Sequence, residues 1–259
     1  MKTKKMRTIL TALALLSPLA LTAPAALAAG AEVAIPAQKW SFNGPFGTFD
    51  RAELQRGYQV YKEVCAACHA MKYVAFRNLR DIGFNEAEVK ALAATFEVND
   101  GPNDAGEMFK RPGLPQDKFP SPFPNEKAAR ASNGGAYPLD LSLIAKARAG
   151  GPDYIRALLV GYKDAPAGFA LGEGLNYNEY FAGHQIAMPK PLNEDQVTYA
   201  DGTKASVEQM AHDVSAFLMW AAEPKLEDRK RMGFKVMVFL IVLTGLFFMA
   251  KKRIWAKLH

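Results

Sequence analysis

The chain has 259 residues, with 32 basic and 26 acidic side chains, a formal net charge of +6, and only two cysteines. The positive surplus sits at the ends: four basic residues precede Ala29 and eight lie from Arg229 onward, so residues 29–228 hold 20 basic against 26 acidic residues, a net of −6. That acidic stretch argues against nucleic acid and suits a basic protein partner, although plain solubility explains the charge equally well.

Residues 1–28 read as an export signal. Lys2, Lys4, Lys5 and Arg7 precede an apolar run from Ile9 to Leu21, and Ala26-Leu27-Ala28 marks cleavage near Ala28/Ala29. Residues 29–48, with Pro36, Trp40 and Pro45, form an extended arm. Asp50 is an N-cap for a helix on which Leu54, Tyr58, Tyr61 and Val64 recur at helical spacing. Gly57, a poor helix former, marks either close approach of another helix or a simple surface position.

That helix runs into Cys65-Ala66-Ala67-Cys68-His69, the attachment word of a c-type haem. Two residues between the cysteines let both sulfurs reach the vinyl groups along one porphyrin edge, and His69 then aims its imidazole at the iron. One such word means one haem c, held covalently by two thioether bonds and by one axial ligand. A disulfide or thiol redox motif is the alternative. The histidine directly after the second cysteine, and the lack of strand and helix alternation around the motif, favour haem.

Asn85 with Glu88 caps a helix over 86–96. The polar segment Glu97 to Glu107 reads as a solvated loop or a docking patch. Five prolines between Arg111 and Pro124 exclude regular helix or sheet there. Short helices are expected over 125–132, 140–149 and 152–162, with Gly134-Gly135 and Gly150-Gly151 as stops. A long loop, 163–193, carries Met188-Pro189. Ser206 and Gln209 form a capping pair before an amphipathic helix through Met210, Val214, Phe217, Leu218 and Trp220.

Residues 232–250 are apolar apart from Lys235 and rise about 28 Å as a helix, close to the roughly 30 Å of membrane hydrocarbon. Flanking basic residues balance, so the export signal sets the orientation. The plan is a signal peptide (1–28), a periplasmic c-type haem domain (29–228) and an anchor with a short cytoplasmic tail (229–259). The fold class is mostly α: a c-type cytochrome domain with long ordered loops plus one C-terminal transmembrane helix, single-pass in a bacterial inner membrane.

The second iron ligand separates an electron carrier from a haem-based sensor or peroxidase. A methionine thioether stabilises Fe(II), raises the potential and leaves no open position. Met188 is the first candidate, on a loop stiffened by Pro189 and Pro191. Met210 and Met219 sit at core spacing, Met237 and Met249 lie in the span, Met1 and Met6 leave with the signal, and Met71 is too near His69. Met108, His184 and His212 remain competitors.

Four blocks give a resemblance that covers nearly the whole mature chain: RGYQVYKEVCAACHAM at 56–71, AARASNGGAYPLDLS at 128–142, NEYFAGHQIAMPKPL at 178–192 and DVSAFLMWAAEPKLEDRKRMG at 213–233. The chain resembles cytochrome c1, the haem subunit of the ubiquinol:cytochrome c oxidoreductase (cytochrome bc1) complex. The likeness implies thioether bonds at Cys65 and Cys68, axial ligation by His69 and Met188, and Arg130 as partner of a haem propionate, where a fixed guanidinium offsets a partly buried carboxylate. It also implies cytochrome b and a Rieske iron-sulfur protein as partners, cytochrome c as acceptor, and a dimeric complex. The chain would be an electron carrier and no enzyme by itself; a stand-alone anchored cytochrome is the rival. Leu139 and Lys190 stand where many relatives have proline.

Overall fold

The computed structural model describes residues 33–256; the export signal expected over 1–28 lies outside them. In chain order the elements are α1 (Arg51–Glu63), α2 (Glu86–Ala94), β1 (Glu97–Asp100), β2 (Phe109–Pro112), α3 (Glu126–Ser132), α4 (Ile144–Ala147), α5 (Gly151–Val160), β3 (Asn176–Tyr177), β4 (Gln185–Ile186), α6 (Val207–Ala222) and α7 (Leu226–Trp255). Turns of 3-10 helix stand at Cys65–Ala67, Phe76–Ile82 and Ala182–His184. The mostly helical class expected from the sequence is the class observed.

The spine is α1 against α6. The Asp50 carboxylate accepts the Ala52 and Glu53 amides at 2.9 and 3.3 Å, which starts α1 at the predicted cap. Gly57 resolves as the point of close approach: a Cβ there would lie 2.1 Å from the Asp213 carbonyl oxygen and 2.7 Å from Phe217 Cβ. Around it Leu54, Val60, Met210, Val214 and Phe217 are buried, and each such side chain contributes about 1.5–3 kcal/mol. Arg56 forks onto the fully buried Asp213 at 2.9 and 3.1 Å and reaches Asp201 at 2.9 Å. Burial pushes the Asp213 carboxyl up, while Arg56 and Gln209 pull against that shift; the Arg56 guanidinium is raised and stays charged.

Three expectations need correction. The segment 97–107 is no plain loop, because β1 pairs antiparallel with β2, Glu97 opposite Pro112 and Asp100 opposite Phe109. Lys110 pairs with Glu97 at 3.0 Å, and Arg111 bonds both Asp100 and Asp117. Four-residue strands held by ion pairs give no apolar alternation to read, and β2 even takes the first proline of the proline-rich stretch. The helix expected over 140–149 shrinks to α4, since 139–142 bonds instead to 69–73. Gln209 does not close a capping box: Ser206 Oγ accepts the Gln209 amide at 3.2 Å, but the Gln209 side chain donates to Asp213 at 2.9 Å.

The arm is part of the core, with Trp40, Phe42 and Phe49 buried and Trp40 Nε1 donating to Asp153 at 2.6 Å. α7 has a mean hydropathy of 2.2 over its most apolar window, and among the described residues none of that window is buried. Its 30 residues extend about 45 Å, long enough to cross a bilayer. It begins at the buried Leu226, so the boundary expected at 228/229 falls inside a helix. Arg51 forks onto Glu227 at 3.0 and 2.9 Å, which ties the root of α7 to α1.

Candidate functional site

The Cys65–His69 word closes on itself. Both the Cys68 and the His69 amides donate to the Cys65 carbonyl, at 3.1 and 2.8 Å. In a 3-10 turn residues three apart eclipse one another, so Cys65 and Cys68 present their sulfurs on one face. Burial pushes the Cys65 thiol up to about 12. A redox or nucleophilic cysteine needs the opposite shift, so Cys65 is not set up as an activated thiol.

His69 is oriented by Leu139, just ahead of the helix expected over 140–149. Its Nδ1 lies 2.7 Å from the Leu139 carbonyl oxygen, which can only accept, so Nδ1 carries the proton and donates, and Nε2 is unprotonated with its lone pair free to ligate. Burial lowers the His69 imidazole below its ordinary value, which keeps it neutral. The neighbouring bonds are a zipper: the Leu141 amide to the Ala70 carbonyl at 2.8 Å, the Lys72 amide to Asp140 at 3.1 Å and the Tyr73 amide to the buried Ser142 hydroxyl at 3.1 Å. Tyr137, Leu139 and Leu143, on the segment beside the imidazole, expose apolar side chains to solvent.

Two thiols on one face, an imidazole with its Nε2 free, and apolar side chains next to it fit a haem. They do not fit a bare metal ion. Among the described residues no three His, Cys, Asp or Glu side chains converge as ligands.

Met188 is held separately. Its carbonyl oxygen accepts from the Tyr162 hydroxyl at 3.1 Å and from Asn176 Nδ2 at 3.4 Å. The β3–β4 hairpin leads into it, with Asn176 opposite Ile186. Behind the hairpin Asn178 is fully buried; its Nδ2 donates to the Leu158 carbonyl at 2.8 Å, and its Oδ1 accepts the Tyr180 and Phe181 amides at 3.0 and 3.2 Å. The Met188 side chain is half-buried, whereas Met108 is 66 % exposed at the end of β1–β2. Met71 and Met210 are core residues. His212 stacks on Trp40 at 4.3 Å and sits 2.9 Å from Glu53, and His184 stacks on Tyr177 at 5.7 Å.

Arg130 lies on α3, pairs with Glu126 at 2.7 Å, donates to the Gly135 carbonyl at 3.0 Å and stacks over Tyr137 at 5.5 Å. The structure thus joins Cys65, Cys68 and His69 to the 139–142 segment, sets Met188 in its own frame from the end of α5, and leaves Arg130 engaged with a carboxylate. Sequence reasoning missed Leu139, Asp140, Ser142, Tyr162, Asn176 and Asn178 as supports. Asn178 among three aromatic residues was the one weak signal.

The sequence profile of the Cytochrome C1 family matches residues 40–258. Over 239 residues the chain is 52% identical to "Cytochrome c1" of Rhodospirillum rubrum, covering 86% of this chain and 88% of that one. It is 54% identical over 209 residues to "Cytochrome c1 1, heme protein, mitochondrial" of Arabidopsis thaliana, covering 81% and 68%. Against "Cytochrome b/c1" of Bradyrhizobium diazoefficiens it is 54% identical over 246 residues, which cover 86% of this chain and only 36% of that longer protein. With the family profile matched along most of its length and relatives above 50% identity named cytochrome c1, the chain belongs to the cytochrome c1 family.

Proposed function

We propose that the chain is the electron-transfer subunit of a dimeric cytochrome bc1 complex in a bacterial inner membrane. It takes one electron from a Rieske iron-sulfur protein and passes it to a soluble or anchored cytochrome c. The observation that carries this reading is the 2.7 Å bond from His69 Nδ1 to the Leu139 carbonyl, which fixes the tautomer an iron ligand needs. The haem, when bound, supplies a one-electron centre whose potential is raised by His and Met ligation.

Each residue has a part. Cys65 and Cys68 tether one haem c from a single face of their turn, neutral His69 offers Nε2, and Met188 offers its thioether from the Tyr162-braced loop. Arg130 serves a propionate by exchanging its Glu126 contact. No substrate bond is made or broken, so the chain is a carrier, and oxidoreductase activity belongs to the complex with cytochrome b. The name "Cytochrome b/c1" of one relative supports that association. The net −6 of residues 29–228 suits a basic cytochrome c on the periplasmic side. Glu97 and Asp100 are already paired with Lys110 and Arg111, so in the hairpin the docking charge rests on Asp104 and Glu107.

Detergent extraction from native membranes tests the proposal. Haem retained by the denatured chain, a red absorption band of methionine-ligated ferric haem, and co-purifying cytochrome b are expected. Haem that washes out on denaturation overturns the covalent site, and purification without cytochrome b leaves a stand-alone cytochrome.

A further inference from the structure

The turn from Gly44 to Thr48 stands at the foot of α7, where the apolar span begins. It is a built feature. A Cβ at Gly47 would lie 2.0 Å from the Asn43 carbonyl oxygen, so a larger residue cannot fold back there without shifting the backbone. Lys230 Nζ donates to the Phe42 and Gly47 carbonyls, and Glu227, besides its fork with Arg51, accepts the Phe49 amide at 2.8 Å. The turn is therefore pinned to the helix on both flanks.

This bracing carries Phe46, 78 % exposed, onto the edge of Phe234, with ring centroids 6.1 Å apart. Phe234 is the third residue of the apolar run 232–250, so Phe46 stands level with the first turn of the span. A cavity of about 250 Å³ opens there, with Pro45, Phe46, Phe234, Arg231 and Lys235 in its wall. Arg231 and Lys235 stand one helical turn apart. Arg231 has only a loose contact with Asp228 at 3.9 Å, and Lys235 pairs with no acid among the described residues. Glu227, the one acidic residue of the wall, is committed to Arg51.

We propose that this is a phospholipid site. Phe46 and Phe234 receive the upper acyl chains, and Arg231 with Lys235 holds the phosphate of an anionic headgroup in the leaflet on the globular-domain side. Continuity with the span selects the occupant, since the aromatic wall meets the level at which hydrocarbon begins. Aromatic and basic side chains are the ones that partition to this depth. The surplus positive charge of Arg231 and Lys235 selects an anionic headgroup over a zwitterionic one.

Photo-crosslinking in native membranes tests it on the full chain in its complex. A benzophenone amino acid replaces Phe46, an exposed position where it leaves the core undisturbed, and the adduct is identified by mass. A phospholipid adduct is expected. In nanodiscs of phosphatidylcholine with a minor share of phosphatidylglycerol, the adduct should be enriched in phosphatidylglycerol, and Arg231→Gln with Lys235→Gln should lower that enrichment by up to about 25-fold, at roughly fivefold per cation. An adduct to another protein chain overturns the proposal in favour of a subunit contact. Absence of any adduct overturns it in favour of a water-exposed turn, and a lipid adduct with no headgroup preference overturns the anionic site.

Discussion

On the His69 side of the candidate site the bracing is dense and uses the backbone. The turn closes on the Cys65 carbonyl, and 139–142 lies along 69–73 through four bonds, two from main chain to main chain or imidazole and two through Asp140 and Ser142. On the Met188 side single side chains reach across loops, with Tyr162 and Asn176 on the Met188 carbonyl and Asn178 behind the β3–β4 hairpin. A group held by many short main-chain bonds loses little when one is removed. A loop held by a few long-range side chains can be released by one substitution, so the Met188 side is the more adjustable of the two.

The sharpest test is Met188→Leu, which removes the soft donor and leaves both cysteines and His69 in place. Potentiometry should show the midpoint falling on the order of 0.1 V or more, within the roughly 0.8 V range that axial ligation spans, with haem still attached on a denaturing gel. An unchanged midpoint would move the ligand to Met108 or a histidine. Next, Asn178→Ala leaves the Leu158 carbonyl and two amides without partners and should destabilise the chain by about 2–3 kcal/mol. In a denaturant titration the methionine band should then vanish before helical circular dichroism does; simultaneous loss would show that the two sides unfold as one.

Asp140→Ala strikes the other side. It frees the Lys72 and Ser142 amides, and a loss of about 1–2 kcal/mol is expected. Hydrogen exchange should quicken at those amides while Met188 ligation holds. Tyr162→Phe removes one neutral bond and should destabilise by about 1 kcal/mol, with a small fall in midpoint. A fall as large as that of Met188→Leu would mean that this one hydroxyl decides ligation.

The least effect is expected from mild acid. The Thr203 amide, with Arg56, holds the Asp201 carboxyl down at about 2, and Arg111 holds Asp117 below the usual carboxylate range. Their stabilisation is present above the unfolded carboxylate pKa of roughly 3.9 and is lost as pH falls towards 2. Asp213, raised by burial, acts in the opposite sense and softens the slope. Asp201 pairs with Arg56 of α1, the helix that leads into Cys65, and Asp117 lies in the segment after β2, so acid should loosen the α1 side first. Melting temperatures between pH 5 and pH 2.5 check this; a profile flat in pH would remove the ion pairs from the account.

Legibility followed the range of the bond. The Cys65–His69 turn, the Asp50, Asn85 and Ser206 caps and the apolar span are local features, and the caps and the span were readable as written. Gly57 could be noticed, but only Asp213 and Phe217, more than 150 positions away, say why no side chain fits. Leu139 was seen as a departure from proline, while its role depends on a carbonyl, which every residue has and no sequence pattern marks. Tyr162 and Asn178 have the same difficulty: their partners are main-chain oxygens and amides, silent in composition and spacing. The β1–β2 hairpin was hidden for another reason, since Arg111 and Lys110 hold it by charge and no alternation of apolar residues announces it.

α7 leaves the globular domain without a linker among the described residues. Its first turns are tied to α1 by the Glu227 fork, and to the arm by the Lys230 bonds to the Phe42 and Gly47 carbonyls, before the apolar stretch begins. Mechanically it is a mast stepped into the hull, with no swivel at the deck. Tilting the domain over the bilayer means bending a hydrogen-bonded helix or breaking those stays, so thermal motion at this joint is a stiff vibration and no free swing. The candidate site stays at one height and one bearing, and whatever docks there must do the travelling.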